Sequence, residues 1–182
     1  MIHRAMRLGC RIAFQYMDWD MKKKLAPRRG GKIYEVSPWA LTCSDDNYYM
    51  VSYDGDADII KHFRVDKMGS MQVLENKKRE GADRFGEFDI AKYTNHVFGM
   101  YSGEEEKITL SFPNEMIGIA LDRFGRDVNL FCTEPDRFHI CVDIEVSRQF
   151  YGWLTGLGPN VKILSPDSVR EGYYEYLRSI IE

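Results

Sequence analysis

Tyr48-Tyr49-Met50-Val51-Ser52-Tyr53-Asp54, then Gly55-Asp56-Ala57-Asp58, then Lys61-His62-Phe63-Arg64-Val65-Asp66-Lys67-Met68 carry the clearest structural signal in the chain. Two runs rich in β-branched and aromatic residues flank a cluster of glycine and small acidic residues, the pattern of strand, turn and strand. Nothing in that cluster resists reversal of the chain. Side chains alternate across a strand, so His62, Arg64 and Asp66 share one face while Phe63, Val65 and Lys67 share the other. An ordinary hairpin carries Thr or Lys on its wet face. This one carries side chains suited to stacking on a ring or gripping an anion.

Strands are also expected on both sides of the hairpin. Residues 11–16 alternate, with Ile12, Phe14 and Tyr16 on one face and Arg11, Ala13 and Gln15 on the other. Before them, Ile2, Ala5 and Met6 share a helical face that Gly9 ends. Asp18-Trp19-Asp20 is expected to begin a loop. Residues 33–36 and 39–43 read as two strands separated at Ser37-Pro38, and residues 69–74 as a last one. Short strands joined by short turns suggest a small β-barrel over residues 1–80, because closure removes exposed edges. Within the loop lie Lys22, Lys23, Lys24, Arg28, Arg29 and Lys32, with Pro27 and Gly30-Gly31 breaking any helix. A solvated loop is the commoner meaning of such a run; an electropositive rim that attracts phosphates is the sharper one.

Residues 75–86 are polar and mark a boundary. The spacing of Ile90, Tyr93, Val97 and Phe98, followed by Gly99, predicts a connecting helix inside a linker over residues 81–106. Ser102-Gly103 offers a hinge before Glu104-Glu105-Glu106. Beyond it, strands are expected at residues 107–112, 128–133, 138–146 and 161–164. Helices fall between them: one opens at Pro113 and stops at Gly125, and one is capped by Ser147 and stopped by Gly158. A last helix begins after Ser165-Pro166, with Val169, Tyr173, Tyr176, Leu177 and Ile180 as its apolar face. The order β-α-β-β-α-β plus a terminal helix is that of a ferredoxin-like domain over residues 107–182. The fold class is α+β.

Two runs within the hairpin resemble the signatures of the WYL domain, a small barrel found mainly in bacterial transcription regulators. Its Trp-Tyr-Leu triplet corresponds to Tyr48-Tyr49-Met50. A Phe-Arg-x-Asp-Arg-like run corresponds to Phe63-Arg64-Val65-Asp66-Lys67, with Lys67 replacing the last arginine. The likeness extends over residues 5–16 and to the C-terminal extension that often follows a WYL domain. It implies an SH3- or Sm-like barrel, a ferredoxin-like extension and a homodimer. It also implies a nucleic-acid or other small anionic effector sensed at an arginine-bearing surface, which controls DNA binding. WYL regulators usually carry a helix-turn-helix before the barrel; this chain begins about where the barrel begins, so that DNA-reading part is expected to be absent.

At 182 residues, with 44% hydrophobic and 29% charged residues, the composition is that of a globular chain. A net charge of −3 excludes a general electrostatic pull on nucleic acid, so any such role needs a local basic patch. No apolar run is long enough to span a membrane, and no signal-peptide pattern opens the chain. Cys10, Cys43, Cys132 and Cys141 lack paired spacing and read as buried thiols in a reducing compartment, so the cytoplasm is expected.

No catalytic constellation emerges. His3, His62, His96 and His139 are dispersed, and the glycines of residues 152–158 lie within and after a helix, where a phosphate loop must precede one. Neither an enzyme nor a cofactor is expected. Binding remains, and Tyr49, His62, Arg64 and Lys67 are the candidate ligand-binding residues. Arginine takes phosphate or carboxylate with two parallel bonds, and tyrosine stacks on a base. Arg64 and Lys67 fall on opposite faces unless the strand ends between them. Arg64 has a structural alternative, an ion pair with Asp66 that holds the sheet together. Tyr48, Met50 and Phe63 read as core. The function expected is an effector-sensing and dimerisation region acting by population shift. The alternative is a ligand-free protein–protein or oligomerisation module built on Tyr173, Tyr174 and Tyr176.

Overall fold

The apolar spacing of Ile2, Ala5 and Met6 gives α1 (Ile2–Leu8), which buries Ile2 and Ala5 and ends at Gly9, whose φ of 62° is left-handed. The computed structural model describes residues 1–85, 93, 97–101 and 103–182, in two units, Met1–Ile90 and Ala91–Glu182. In the first unit come β1 (Cys10–Trp19), β2 (Leu25–Pro27), β3 (Ile33–Ser44), β4 (Asn47–Asp54), β5 (Ile59–Arg64), β6 (Met68–Lys78) and the single turn α2 (Ala82–Phe85). All pairings are antiparallel. β1 meets β6 on one side. On the other it meets β3 at residues 12–15 and β2 at residues 17–19, and β4 and β5 follow outward from β3.

The alternation expected in β1 is present: Cys10, Ile12 and Phe14 are buried. Phe14 is at the centre of the core, its ring edge-on to Phe63 at 4.9 Å and stacked on Tyr34 at 5.8 Å. Met50 faces Phe63 across the β4–β5 ladder, and both are buried as expected.

Five expectations for this unit need correction. The sheet is not a closed barrel: among the described residues, β5 and β6 share no ladder. A 3-10 turn at Val65–Lys67 breaks the extended backbone directly after Arg64, so β5 stops and the chain lifts across to β1. Pro38 does not divide β3. It sits beside a register shift in one continuous strand, where its missing N–H costs little. β1 runs on to Trp19, where a loop was expected, because β2 gives it a partner. Tyr48 is 67% exposed and outside the core, although Met50 shares its face. The thiols of Cys43 and Cys132 are likewise exposed, and all four cysteines are free.

The second unit comprises β7 (Glu104–Pro113), α3 (Ile117–Phe124), β8 (Leu130–Glu134), β9 (Arg137–Val146), α4 (Arg148–Gly156), β10 (Lys162–Ser165) and α5 (Asp167–Ile181). Its antiparallel sheet has the order β10-β7-β9-β8. Ile108, Leu110, Phe112, Ile140, Ile144, Phe150 and Leu154 fill the space between sheet and helices. Glu104, Glu105 and Glu106, expected in a linker, belong to β7 and pair with β9. Ile90 and His96 lie outside the described residues, as does Ser102 of the expected hinge. The remaining residues of the expected connecting helix include Val97 and Phe98, both buried, with Phe98 against Phe150 and Trp153 at 5.2 and 5.1 Å.

Ser147 caps α4, its Oγ accepting from the Phe150 N–H at 3.3 Å. Ser147→Ala is expected to lower stability by about 1 kcal/mol, with an earlier denaturation midpoint at unchanged slope. An unchanged midpoint would show the cap to be idle.

Candidate functional site

Each candidate ligand-binding residue owes its position to the β4–β5 hairpin and the turn after it. In the ladder Tyr49 lies directly opposite Arg64, and Val51 opposite His62. Alternation therefore puts Tyr49, His62 and Arg64 on one face of the hairpin. His62 is half-buried there. The Arg64 N–H donates to the Tyr16 hydroxyl of β1 at 3.1 Å, which fixes the end of β5 against the first strand.

The Arg64 guanidinium forks onto Asp66: Nε donates to Oδ1 at 3.1 Å and Nη2 to Oδ2 at 2.8 Å. Those bonds hold the Asp66 carboxyl below its usual range despite partial burial, and push the guanidinium higher still. Burial raises the Tyr16 phenol, against the opposing pull of Arg64. The expected structural alternative for Arg64, pairing with Asp66, is thus present. It does not tie strands together, because the partners are only two residues apart.

Lys67 is turned away from Arg64 by the 3-10 turn. Its Nζ donates to Asp18 Oδ1 at 3.0 Å, and Arg28 approaches the other Asp18 oxygen at 3.6 Å. Lys67 holds the Asp18 carboxyl below its usual range. The structure therefore brings Tyr49, His62 and Arg64 together on β4 and β5, and seats Lys67 apart from them on Asp18. Sequence reasoning missed Tyr16 and Asp18, while Arg28 was singled out only as part of the basic run. Tyr16 carried a signal, since it closes the alternating run of β1, but its hydroxyl reads as core from one strand alone.

A cavity of about 860 Å³ opens on the opposite side of the hairpin, lined by Leu41, Tyr48, Val65, Asp66 and Met71 among others. Arg64 does not line it, but Asp66 does. The ion pair therefore borders the cavity through Asp66 alone. Its walls are largely apolar, which explains why an exposed Tyr48 is tolerated there. Among the described residues, no group of three His, Cys, Asp or Glu side chains is placed to hold a metal, and no helix is long and apolar enough to cross a membrane.

Comparison with known proteins bears on both units. The WYL domain matches residues 1–73, and the WCX domain matches residues 104–181. Among solved structures, the chain is similar to proteasome accessory factor B/C (PafBC) of Arthrobacter aurescens, with 21% identity, 94% of this chain and 25% of that chain covered, and a TM-score of 0.40. It is also similar to a CRISPR Cas-related protein, with 11% identity, 98% of this chain and 50% of that chain covered, and a TM-score of 0.52. The chain thus spans a quarter of one and half of the other, and at 11% identity the second likeness concerns fold alone. No curated protein matches it. One domain match falls in each structural unit, so the chain carries a WYL domain followed by a WCX domain.

Proposed function

We propose that this chain is the effector-sensing region of a transcriptional regulator, and that Arg64, beside Tyr49 and His62, takes a nucleic-acid or other anionic ligand. One observation carries the reading: the Arg64 fork is filled by a carboxylate from its own turn. The Asp66 side chain is 55% exposed, and an exposed local ion pair is worth about 0–1 kcal/mol. A phosphate oxygen pair has the same geometry as that carboxylate and displaces it at little cost. Lys67, one strand end away, adds a second cation to the approach.

The finer architecture supports the same reading. A short helix, an antiparallel sheet and a 3-10 turn before the last strand fit an SH3- or Sm-like plan left open between β5 and β6. The sheet order β10-β7-β9-β8, with helices after its first and third strands, fits a ferredoxin-like extension. The residues between α2 and β7 then serve as the linker through which ligand occupancy biases the regulator's states.

The test is binding of short labelled single strands of DNA and RNA at low salt. Arg64→Ala is expected to weaken binding ten- to a hundredfold, about the worth of a bidentate charged contact. Asp66→Asn is expected to strengthen it by freeing the fork. Equal affinities for all three proteins would sink the reading.

An oligomerisation role has one observation in its favour, the exposure of Tyr174, Ile180 and Ile181 on α5. Tyr173 and Tyr176 do not belong to that surface, since both pack on Tyr151 at 5.6 Å. Homodimerisation through α5 is compatible with sensing. Concentration-dependent sedimentation of the wild type beside Ile180→Glu tests it, and a monomer at all concentrations would dismiss it.

A further inference from the structure

β1 outruns its pairing with β3, and its last residues pair instead with β2: Met17 with Pro27, Asp18 with Ala26 and Trp19 with Leu25. The product is a two-stranded arm at the edge of the sheet, and every residue from 20 to 30 in it is exposed. Six cations fall on this arm and its exit, Lys22, Lys23, Lys24, Arg28, Arg29 and Lys32, in a chain whose net charge is −3.

The two nearby acids offset only part of this charge. Asp20 is occupied by the turn, its Oδ1 accepting from the N–H groups of Lys22 and Lys24, both at 2.8 Å. Asp18 is shared by Lys67 and Arg28. No ion pair engages Lys22, Lys23, Lys24 or Arg29 among the described residues.

Large apolar side chains stand among these charges. Trp19 is 59% exposed and Met21 wholly so. Lysines on a sheet edge commonly serve to prevent edge-to-edge pairing. That role has no use for a bare indole, which promotes association. Cations with an exposed aromatic between them are instead the equipment for binding single-stranded nucleic acid, phosphates on the ammonium groups and a base on the ring. An indole needs an unstacked base, which a duplex does not offer.

We infer that the arm formed by residues 19–32 is a second contact surface for a single-stranded nucleic acid, with Trp19 as a stacking platform and Lys22, Lys23 and Lys24 as phosphate contacts. β1 joins it to the Arg64 site: the Tyr16 hydroxyl accepts the Arg64 N–H, and Asp18, two residues further along the same strand, touches both Arg28 of the arm and Lys67. The inference thus rests on reading that site as an anion binder, and one strand runs from Arg64 past Lys67 onto the arm.

The test is titration of the full chain with a labelled single-stranded oligonucleotide over a series of salt concentrations. Four variants are measured beside the wild type: Trp19→Ala, the triple exchange of Lys22, Lys23 and Lys24 to Gln, Arg64→Ala, and the triple exchange combined with Arg64→Ala. The triple exchange is expected to weaken binding at low salt by at least tenfold and to flatten the log–log salt slope by about 2. Trp19→Ala is expected to cost about tenfold and to remove the quenching of tryptophan emission that the oligonucleotide causes.

If Arg64→Ala abolishes binding while the triple exchange leaves affinity and slope unchanged, the arm is only a solubilising edge and the inference falls alone. If the triple exchange abolishes binding and Arg64→Ala does not, the arm stands and the Arg64 reading falls. Equal affinity for a duplex of the same length overturns the stacking role. Binding to vesicles of anionic phospholipid, with none to the oligonucleotide, overturns the assignment to nucleic acid.

Discussion

Replacing Phe14 with alanine is expected to cost the first unit about 3–5 kcal/mol, a large share of what holds such a domain together. The ring is 1% exposed and contacts Tyr34, Phe63 and, at 6.5 Å, Tyr16, so it joins three strands in one aromatic cluster. Tyr16 and Phe63 meet each other at 5.3 Å, and no neighbouring side chain can slide into the space left. The effect reaches the candidate site. Phe63 precedes Arg64, and Tyr16 accepts the Arg64 N–H. Hydrogen exchange of the β1 amides is the measurement, since it reports this unit without interference from the second. Protection lost by a factor of a hundred or more is expected. A change below tenfold would show that Phe14 is not the centre of this core.

Asp54→Ala is expected to cost about 2–4 kcal/mol, and its effect is the most sensitive to pH. Asp54 is 8% exposed, and its carboxylate pairs with Lys61 and accepts from the N–H groups of Asp56 and Ala57 at 3.1 and 3.3 Å. It closes the β4–β5 turn and anchors the lysine beside it. Burial pushes its proton affinity up, but Lys61 and the two amides together outweigh burial, and the group lies below its ordinary value. A carboxyl lowered on folding contributes its full stabilisation above the unfolded value, near pH 4, and loses it as pH falls further. Asp54→Asn keeps the shape without the charge. The stability gap between wild type and Asp54→Asn should therefore be constant from about pH 5 to 7 and shrink below pH 4. Other acids lowered by ion pairs, such as Glu35 and Asp66, titrate in both proteins and cancel in the difference. A gap that persists at pH 3 would remove the charge from the explanation.

Much of the fold is legible in local pattern because it depends on local pattern. Ile12 and Phe14 alternate with polar residues and lie in the core; Ser147 sits before its helix and caps it; the small acidic turn between β4 and β5 reverses the chain. What escapes is set by partners distant in sequence. Met17, Asp18 and Trp19 read as loop because nothing in them announces β2. The run of three glutamates reads as linker because only β9 makes it a strand. Closure of the first sheet depends on where Val65–Lys67 directs the chain, and a 3-10 turn there leaves no periodicity to detect. The same turn shows why Tyr49, His62 and Arg64 could be grouped from alternation and Lys67 could not. Alternation applies up to the last residue of a strand and no further. Asp66 was legible as a partner for Arg64, but its place in the wall of a cavity was not.

The pairing of β1 with β6 also has a bearing on synthesis. Cys10 is opposite Lys78, so the first strand made and the last are neighbours. As the chain leaves the ribosome, β1 has one side without a partner until residue 78 has emerged, while β3, β4 and β5 can pair with their sequence neighbours as they appear. Non-local pairing of this kind waits on loop closure and exposes an unsatisfied strand in the meantime. Stalled chains ending before β6 are therefore expected to show a protease-sensitive first strand beside an already protected β4–β5 hairpin, and chains extending well past residue 78 to show both protected.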